Sequence, residues 1–353
     1  MKLENISTPA LIVDEQKFNA NAQAMQELLK GSSLQLRPHY KSHKCADIAR
    51  MQIEKGAVGI TCAKLDEAID LVDSGVENVL IANQITDKAK IAKMAYLAKA
   101  CRLTVCVDSE ENIHDIENAC AFADSTIYLF IEYEIGMQRC GVSKKEEVAR
   151  LIEVIKGCKH LVFDGIQAYA GHISHALSLS ERQEATKQNY QRLKELLSYL
   201  ESLGVSVNAL SGGSTGTSVV KVKEGLYTEL QAGSYLFMDS TYAELDLPFE
   251  NSLFIVSTVV SVSEGLAVID AGVKSCGVDQ GMPKVVGVDV SEIVASEEHF
   301  QLHNPSKTLK VGERVLLIPG HCCSTVNLHD KIYFVNSDKV VRRCAVTARG
   351  CSH

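Results

Sequence analysis

Between residue 34 and about residue 233, short β-branched runs alternate with longer stretches whose apolar residues recur every three or four positions, as in ADIARMQIEKG and AKIAKMAYLAKAC. The short runs suit strands and the longer ones amphipathic helices, so the alternation predicts parallel βα units. The strand-like runs are LQLRPHY (34–40), VGITCA (58–63), NVLIAN (78–83), RLTVCVD (102–108), TIYLFIEY (126–133), FDGIQAY (163–169), VSVNALSGG (205–213) and LYTELQAG (226–233). Eight such runs favour a (β/α)8 TIM-type barrel over a doubly wound open sheet, which more often has about five to seven strands. Periodicity alone does not show closure.

After Asp239 the texture changes. FIVSTVVSVSEGLAVIDAG, PKVVGVDVSEIV, KTLKVGERVLLIPGH and DKIYFVNSDKVVRRCAV are short β-rich runs broken by Gly, Asn and Asp, with no long helical stretch. The expected organisation is therefore a barrel over residues 1–240 and an all-β domain over 241–353.

Composition narrows the class. With 36 Lys and Arg against 44 Asp and Glu the net charge is −8, and the basic residues are dispersed, so no electrostatic footprint for nucleic acid exists. At 46% apolar and 23% charged the chain is globular in composition. It has no run of 18 or more apolar residues, and MKLENISTPA lacks the order of a signal peptide, so a cytoplasmic protein without a membrane partner is expected. Twelve scattered cysteines suit small buried hydrophobes in a reducing compartment. Among them only the adjacent Cys322 and Cys323 sit where chemistry is invited.

In a barrel, residues that act on a ligand lie at the C-terminal strand ends. The first run ends in RPHYKSHK (37–44), crowding five cations into eight residues. Such crowding favours the neutral amine that imine formation requires, and Lys41, one residue beyond the strand, is the candidate; the bland alternative is a solvated basic loop. The fifth run offers Glu132, Glu134 and Arg139, with Gly136 and Gly141 bracketing the arginine, as cavity residues or as surface ion pairs. The sixth delivers Gln167, Tyr169, His172 and His175. Loops after runs seven and eight, SGGSTGTSVV and AGSYLFMD, are rich in glycine and hydroxyls, the chemistry that cradles a phosphate, yet match neither the P-loop nor the GxGxxG pattern. In IPGHCCSTVNLHD, His321 and Cys323 are two apart; in an extended segment both would point one way and could hold a metal such as Zn²⁺, whereas a buried Cys beside a hydrogen-bonded His is the plain alternative.

Taken together, TPALIVD, RPHYKSHK, GITCAKLDEA, VLIANQI, EYEIGMQRCGV, IQAYAGHISH, SGGSTGT, AGSYLFMD, IDAGVKS and GHCCSTVNLHD resemble the fold-type III pyridoxal phosphate enzymes, in the D-serine dehydratase and D-threonine aldolase branch of the alanine racemase-like group. The resemblance spans nearly the whole chain. It implies that Lys41 carries pyridoxal 5′-phosphate and that Arg139 lies against the cofactor ring or its phenolic oxygen. It also places Tyr169 near the ring nitrogen and the phosphate on Thr215, Gly233 and Ser234. His321 and Cys323 would bind a divalent metal, Zn²⁺ first with Mn²⁺ or Mg²⁺ as alternatives. A homodimer acting on a small D-amino acid is implied as well.

Within that branch the substrate carries a β-hydroxyl. A dehydratase uses Lys41 to remove the α proton while the metal helps the hydroxyl leave, giving a 2-oxo acid and ammonia. An aldolase deprotonates the hydroxyl instead and opens the Cα–Cβ bond to glycine and an aldehyde. By resemblance the dehydratases use HxC and the aldolases HxD, so Cys323 places dehydration first and aldol cleavage second, although TVNLHD reads more like the aldolases. A racemase or a non-catalytic cofactor carrier are the remaining readings. A basic group such as His43 or Lys64 could recruit a second substrate carboxylate.

Overall fold

The computed structural model describes residues 2–175 and 178–353. The first strand, β1 (Ala10–Asp14), is followed by a helix over Glu15–Leu29. Eight parallel strands come next: β2 (Gln35–Leu36), β3 (Ile60–Cys62), β4 (Asn78–Ile81), β5 (Arg102–Val107), β6 (Ile127–Glu132), β7 (Leu161–Ala168), β8 (Ala209–Gly212) and β9 (Glu229–Leu230). Their order in the sheet is β2-β9-β8-β7-β6-β5-β4-β3. The ring is completed between β2 and β3, where Val58 N–H donates to Leu36 O and Thr61 N–H to Pro38 O, each at 2.9 Å. Pro38 has no N–H to give, so the β2 ladder narrows to single bonds there.

Each of the eight runs expected from the sequence coincides with one of these strands, β7 starting two residues ahead of its run. Long helices over Leu65–Asp73, Glu110–Ala123, Lys145–Lys156 and Leu179–Ser202 alternate with them. Leu80, Cys106, Phe130 and Ala209 pack as one buried cluster. Gly165 makes room for it: a Cβ there would sit 2.9 Å from the Phe130 ring and 2.3 Å from the Ala209 carbonyl oxygen.

The remaining strands are β10 (Leu253–Ser263), β11 (Leu266–Ile269), β12 (Lys284–Val285), β13 (Glu292–Ala295), β14 (Phe300–His303), β15 (Arg314–Ile318), β16 (Lys331–Asn336) and β17 (Lys339–Ala345). They build a second sheet with the path β13-β14-β11-β10-β1-β16-β17, on which β15 pairs with β10 and β12. β1 lies in its middle, antiparallel to β10 and parallel to β16. This departs from a boundary at 240. One compact unit gathers the N-terminal stretch to Glu27, Ser42–Asp47 and Ser234–Gly350, and the other gathers Leu28–Lys41 and Ile48–Gly233 with the last three residues. The physical reason is that the four apolar residues of β1 are all buried, and such a run reads the same in a barrel as in the centre of a mixed sheet. A five-residue helix over Cys322–Val326 interrupts the second sheet between β15 and β16. Among the described residues no helix is long and apolar enough to cross a membrane.

Candidate active site

Within the barrel unit, a cavity of ≈ 180 Å³ is lined by residues that include His39, Lys41, Asn83, Arg139, Gln167 and Tyr169. Lys41 follows β2 in a single 3-10 turn, Tyr40–Ser42, and its backbone N–H donates to His39 Nδ1 at 3.3 Å. The side chain is exposed, with Nζ 5.6 Å from the centroid of the Tyr169 ring. The Arg139 guanidinium lies 5.9 Å from the same centroid, so a lysine, an arginine and a phenol converge. Gly171 lets the Tyr169 ring lie close to the backbone, for a Cβ there would stand 2.7 Å from it.

The cavity also takes in a polar lattice inside the barrel. Gln231 donates to Gln167 at 2.7 Å and to Ser211 at 2.9 Å, and Asn83 donates to the Ala63 carbonyl. Burial pushes the Glu132 carboxyl up; the bond from Gln84 at 2.6 Å and the charge of Arg139, 4.0 Å away, offset only part of that. Glu132 therefore tethers Arg139 weakly from below.

The other charged residues singled out from the sequence have structural duties. Arg37 is buried and bidentate on Glu229, at 2.8 Å for each bond, so it is no part of a cationic mouth. Burial raises the Glu134 carboxyl, but bonds from the Gln138 and Gly136 N–H groups prevail and hold it low, so Glu134 braces the turn that carries Met137 and Gln138. His172 is exposed and leans on that turn, with Nδ1 3.5 Å from the Met137 sulfur. It does not line the cavity.

The loop after β8 is held by its own hydroxyls. Ser214 N–H donates to Thr217 Oγ1 at 3.0 Å and Ser214 Oγ meets Ser174 Oγ at 2.7 Å. Gly216 is required, since a Cβ there would fall 1.9 Å from the Ser174 carbonyl oxygen. Thr215 is 2% exposed and its hydroxyl oxygen, fully buried, has no hydrogen-bond partner. A buried unpaired hydroxyl costs about 1–3 kcal/mol, which an anionic ligand would recover. Gly233 is half-buried at the end of the eighth run, and buried Ser234 opens the 3-10 turn after it, in the other compact unit. Replacing Thr215 with valine is expected to weaken binding of pyridoxal phosphate by about 10–100-fold, the worth of a bond to a charged group. Pyridoxal without its phosphate should bind both proteins equally in a fluorescence titration.

In the unit that contains the mixed sheet, His321 and Cys323 are hydrogen-bonded through their side chains. They do not lie on an extended run: Cys323 is inside the helix over Cys322–Val326, and His321 is its extended N-cap. The change of backbone between the two residues brings the ring and the sulfur together. Asp279 and His321 Nδ1 are 2.7 Å apart, and Ser324 donates to the same carboxylate at 2.5 Å. Burial pushes the His321 imidazole down, yet the sulfur and the carboxylate lift it to about 9. The surroundings thus favour positive charge where a cation would sit, and imidazole with sulfur is a donor set that suits Zn²⁺. The Asp279–His321 bond is the kind that orients a ligating imidazole.

Cys322, one position before Cys323, belongs to the packed interior. It is fully buried, its sulfur is 3.9 Å from that of Cys323, and its N–H donates to buried Asp239 at 3.0 Å. Asp279 is the residue sequence reasoning missed, because its partner lies 42 positions away with no motif to connect them. His329 and Asp330 of NLHD serve elsewhere, on the Ser275 carbonyl and on Arg349.

Residues 13–241 match the alanine racemase N-terminal domain, and residues 252–335 match a putative serine dehydratase domain. The chain belongs to the alanine racemase-like, fold-type III family of pyridoxal phosphate enzymes. It is 36% identical over 363 aligned positions to a 3-hydroxy-D-aspartate aldolase of Paracoccus denitrificans, spanning 99% of this chain and 94% of the relative. The crystal structure of D-threonine aldolase from Filomicrobium marinum superposes with a TM-score of 0.96 at 36% identity, covering 100% of this chain and 98% of that one. A D-serine dehydratase of Dictyostelium discoideum is 23% identical, with 96% of each chain covered.

Proposed function

We propose that this protein is a pyridoxal phosphate- and metal-dependent lyase of β-hydroxy-D-amino acids that cleaves the Cα–Cβ bond to glycine and an aldehyde. The full-length similarity to aldolases at 36% identity, against 23% to a dehydratase, carries the choice. Dehydration to a 2-oxo acid and ammonia is the second reading, favoured by a cysteine rather than an aspartate at position 323. This reverses the order that the metal pair alone suggests; the substrate class is common to both.

Lys41 is proposed to hold the cofactor and then to move the proton at the α carbon. Arg139 and Tyr169 orient the ring from the positions described, and Thr215, Gly233 and Ser234 hold the phosphate. Pyridoxal phosphate, when bound, supplies the electron sink for the bond that breaks. His321 and Cys323 are proposed to hold a divalent ion, Zn²⁺ by donor type with Mn²⁺ or Mg²⁺ as substitutes, which would supply Lewis acidity toward the β-hydroxyl. Asp279 keeps the His321 ring oriented. The assembly proposed is a homodimer, as the family resemblance implies, and the compartment proposed is cytoplasmic.

The test is product analysis with D-threonine, 3-hydroxy-D-aspartate and D-serine, each with metal and after chelation. Glycine formed in step with aldehyde, and lost on chelation, is the expected result. Ammonia with a 2-oxo acid would instead assign dehydration, chelator-resistant stereoinversion a racemase, and bound cofactor with no turnover a carrier.

A further inference from the structure

We propose that Cys45, Asp47 and Cys344 form a second metal site, thiolate-rich and suited to Zn²⁺, separate from the His321–Cys323 pair and independent of the reaction catalysed. One sulfur from each cysteine and one carboxylate oxygen all lie within 4.8 Å of one another. A tetrahedral zinc ion with Zn–S near 2.3 Å and Zn–O near 2.1 Å holds its ligands roughly 3.6–3.8 Å apart, so only a small contraction is needed. Both cysteines are buried, at 0% and 1% exposed, while Asp47 is half-buried and leaves one side open for a water.

The three residues come from two stretches that are already registered. Cys344 is on β17, opposite Ile332 of β16. Cys45 and Asp47 flank the start of the helix over Ala46–Glu54, where Ala46 N–H donates to Thr347 Oγ1 at 3.2 Å and Ala348 N–H to the Lys44 carbonyl at 3.0 Å. The ligands therefore meet without large backbone movement, which a metal site requires.

Charge is balanced as well. Two thiolates and a carboxylate around a dication leave one negative charge, and Arg342 acts on Cys344 with the opposite sign. The Cys45 and Cys344 side chains are already hydrogen-bonded to each other. Such a pair is a soft donor set already half assembled, and it sits four residues after Lys41, where it would fasten the chain leaving the cofactor lysine to the last strand.

The experiment counts metal in the full-length protein after removal of loosely bound ions. The Cys323→Ala variant should retain one equivalent of zinc, and adding Cys344→Ala should remove it. Cobalt substituted into Cys323→Ala should show thiolate-to-metal charge transfer, and zinc should protect Cys45 and Cys344 from alkylation until a chelator is added. Asp47→Asn spares both thiols and guards against a folding defect; it should weaken zinc binding by about 10-fold or more. Equal zinc in Cys323→Ala with and without Cys344→Ala would overturn the proposal. So would a wild-type chain two hydrogens lighter whose peptides are joined through Cys45 and Cys344, which would make the pair a redox bridge.

Discussion

Lys41→Ala is expected to lower turnover by at least about 10³-fold and to leave no cofactor attached to the chain after borohydride reduction. Two losses combine. The proposed covalent anchor would disappear, and so would the amine proposed to move a proton at the α carbon, a contribution worth about 10²–10⁴-fold by itself. Among the described residues no other lysine lines the cavity. Lys44, although only three positions on, is buried and sits in left-handed backbone at φ 45°, and Lys64 begins the helix over Leu65–Asp73. A small primary amine added to the variant should restore part of the rate, because proton movement needs only a base near the α carbon, whereas attachment cannot be restored. Mass spectrometry of the reduced protein decides the matter: an adduct still present in Lys41→Ala would move the anchor to another residue.

How much of this was legible in the sequence follows from what each pattern encodes. The eight barrel strands were readable because each βα unit repeats the same contrast between a short β-branched run and a long amphipathic one. β1 escaped, since its buried apolar residues carry no mark of which sheet they join, and pairing with β10 and β16 spans more than 200 residues. The expected first and eighth runs were longer than β2 and β9, whose ladders are two residues each, and the expected seventh began four residues ahead of β8.

The site was legible where chemistry and chain position coincide and illegible where it depends on long-range pairing. Lys41, Tyr169 and Arg139 each follow a strand end, which is where barrel chemistry gathers. Arg37 in the same cationic run is consumed by Glu229, a partner 192 positions on, and Glu134 by the turn immediately after it. Only coordinates could separate these from the cavity residues. For His321 and Cys323 the pairing was anticipated on the wrong backbone. A helix start, not a strand, brings them together, and Cys322 beside them lies in the packed interior.

Truncating Cys323 to alanine is expected to lower activity and the metal bound with it by more than about 100-fold, beyond the roughly 10–100-fold that losing an outer-shell partner costs. The alanine leaves His321 as a lone ligand beside Asp279, and a single imidazole does not hold a divalent ion against solvent. Cys323→Asp is the sharper variant, because it restores an anionic ligand and exchanges sulfur for oxygen. Oxygen donors suit Mn²⁺ and Mg²⁺ better than sulfur does, so this variant should recover activity with Mn²⁺ to within about 10-fold of the parent with Zn²⁺. The new carboxylate will also press on buried Asp239, which already feels the charge at position 323, so without metal the variant should be less stable than the parent. Metal analysis beside kinetics in each ion tests both substitutions. Full activity with unchanged metal in Cys323→Ala would remove this pair from the reaction. Cys322→Ala, by contrast, empties volume from a fully buried position, so its effect should appear as lost thermal stability with metal content retained.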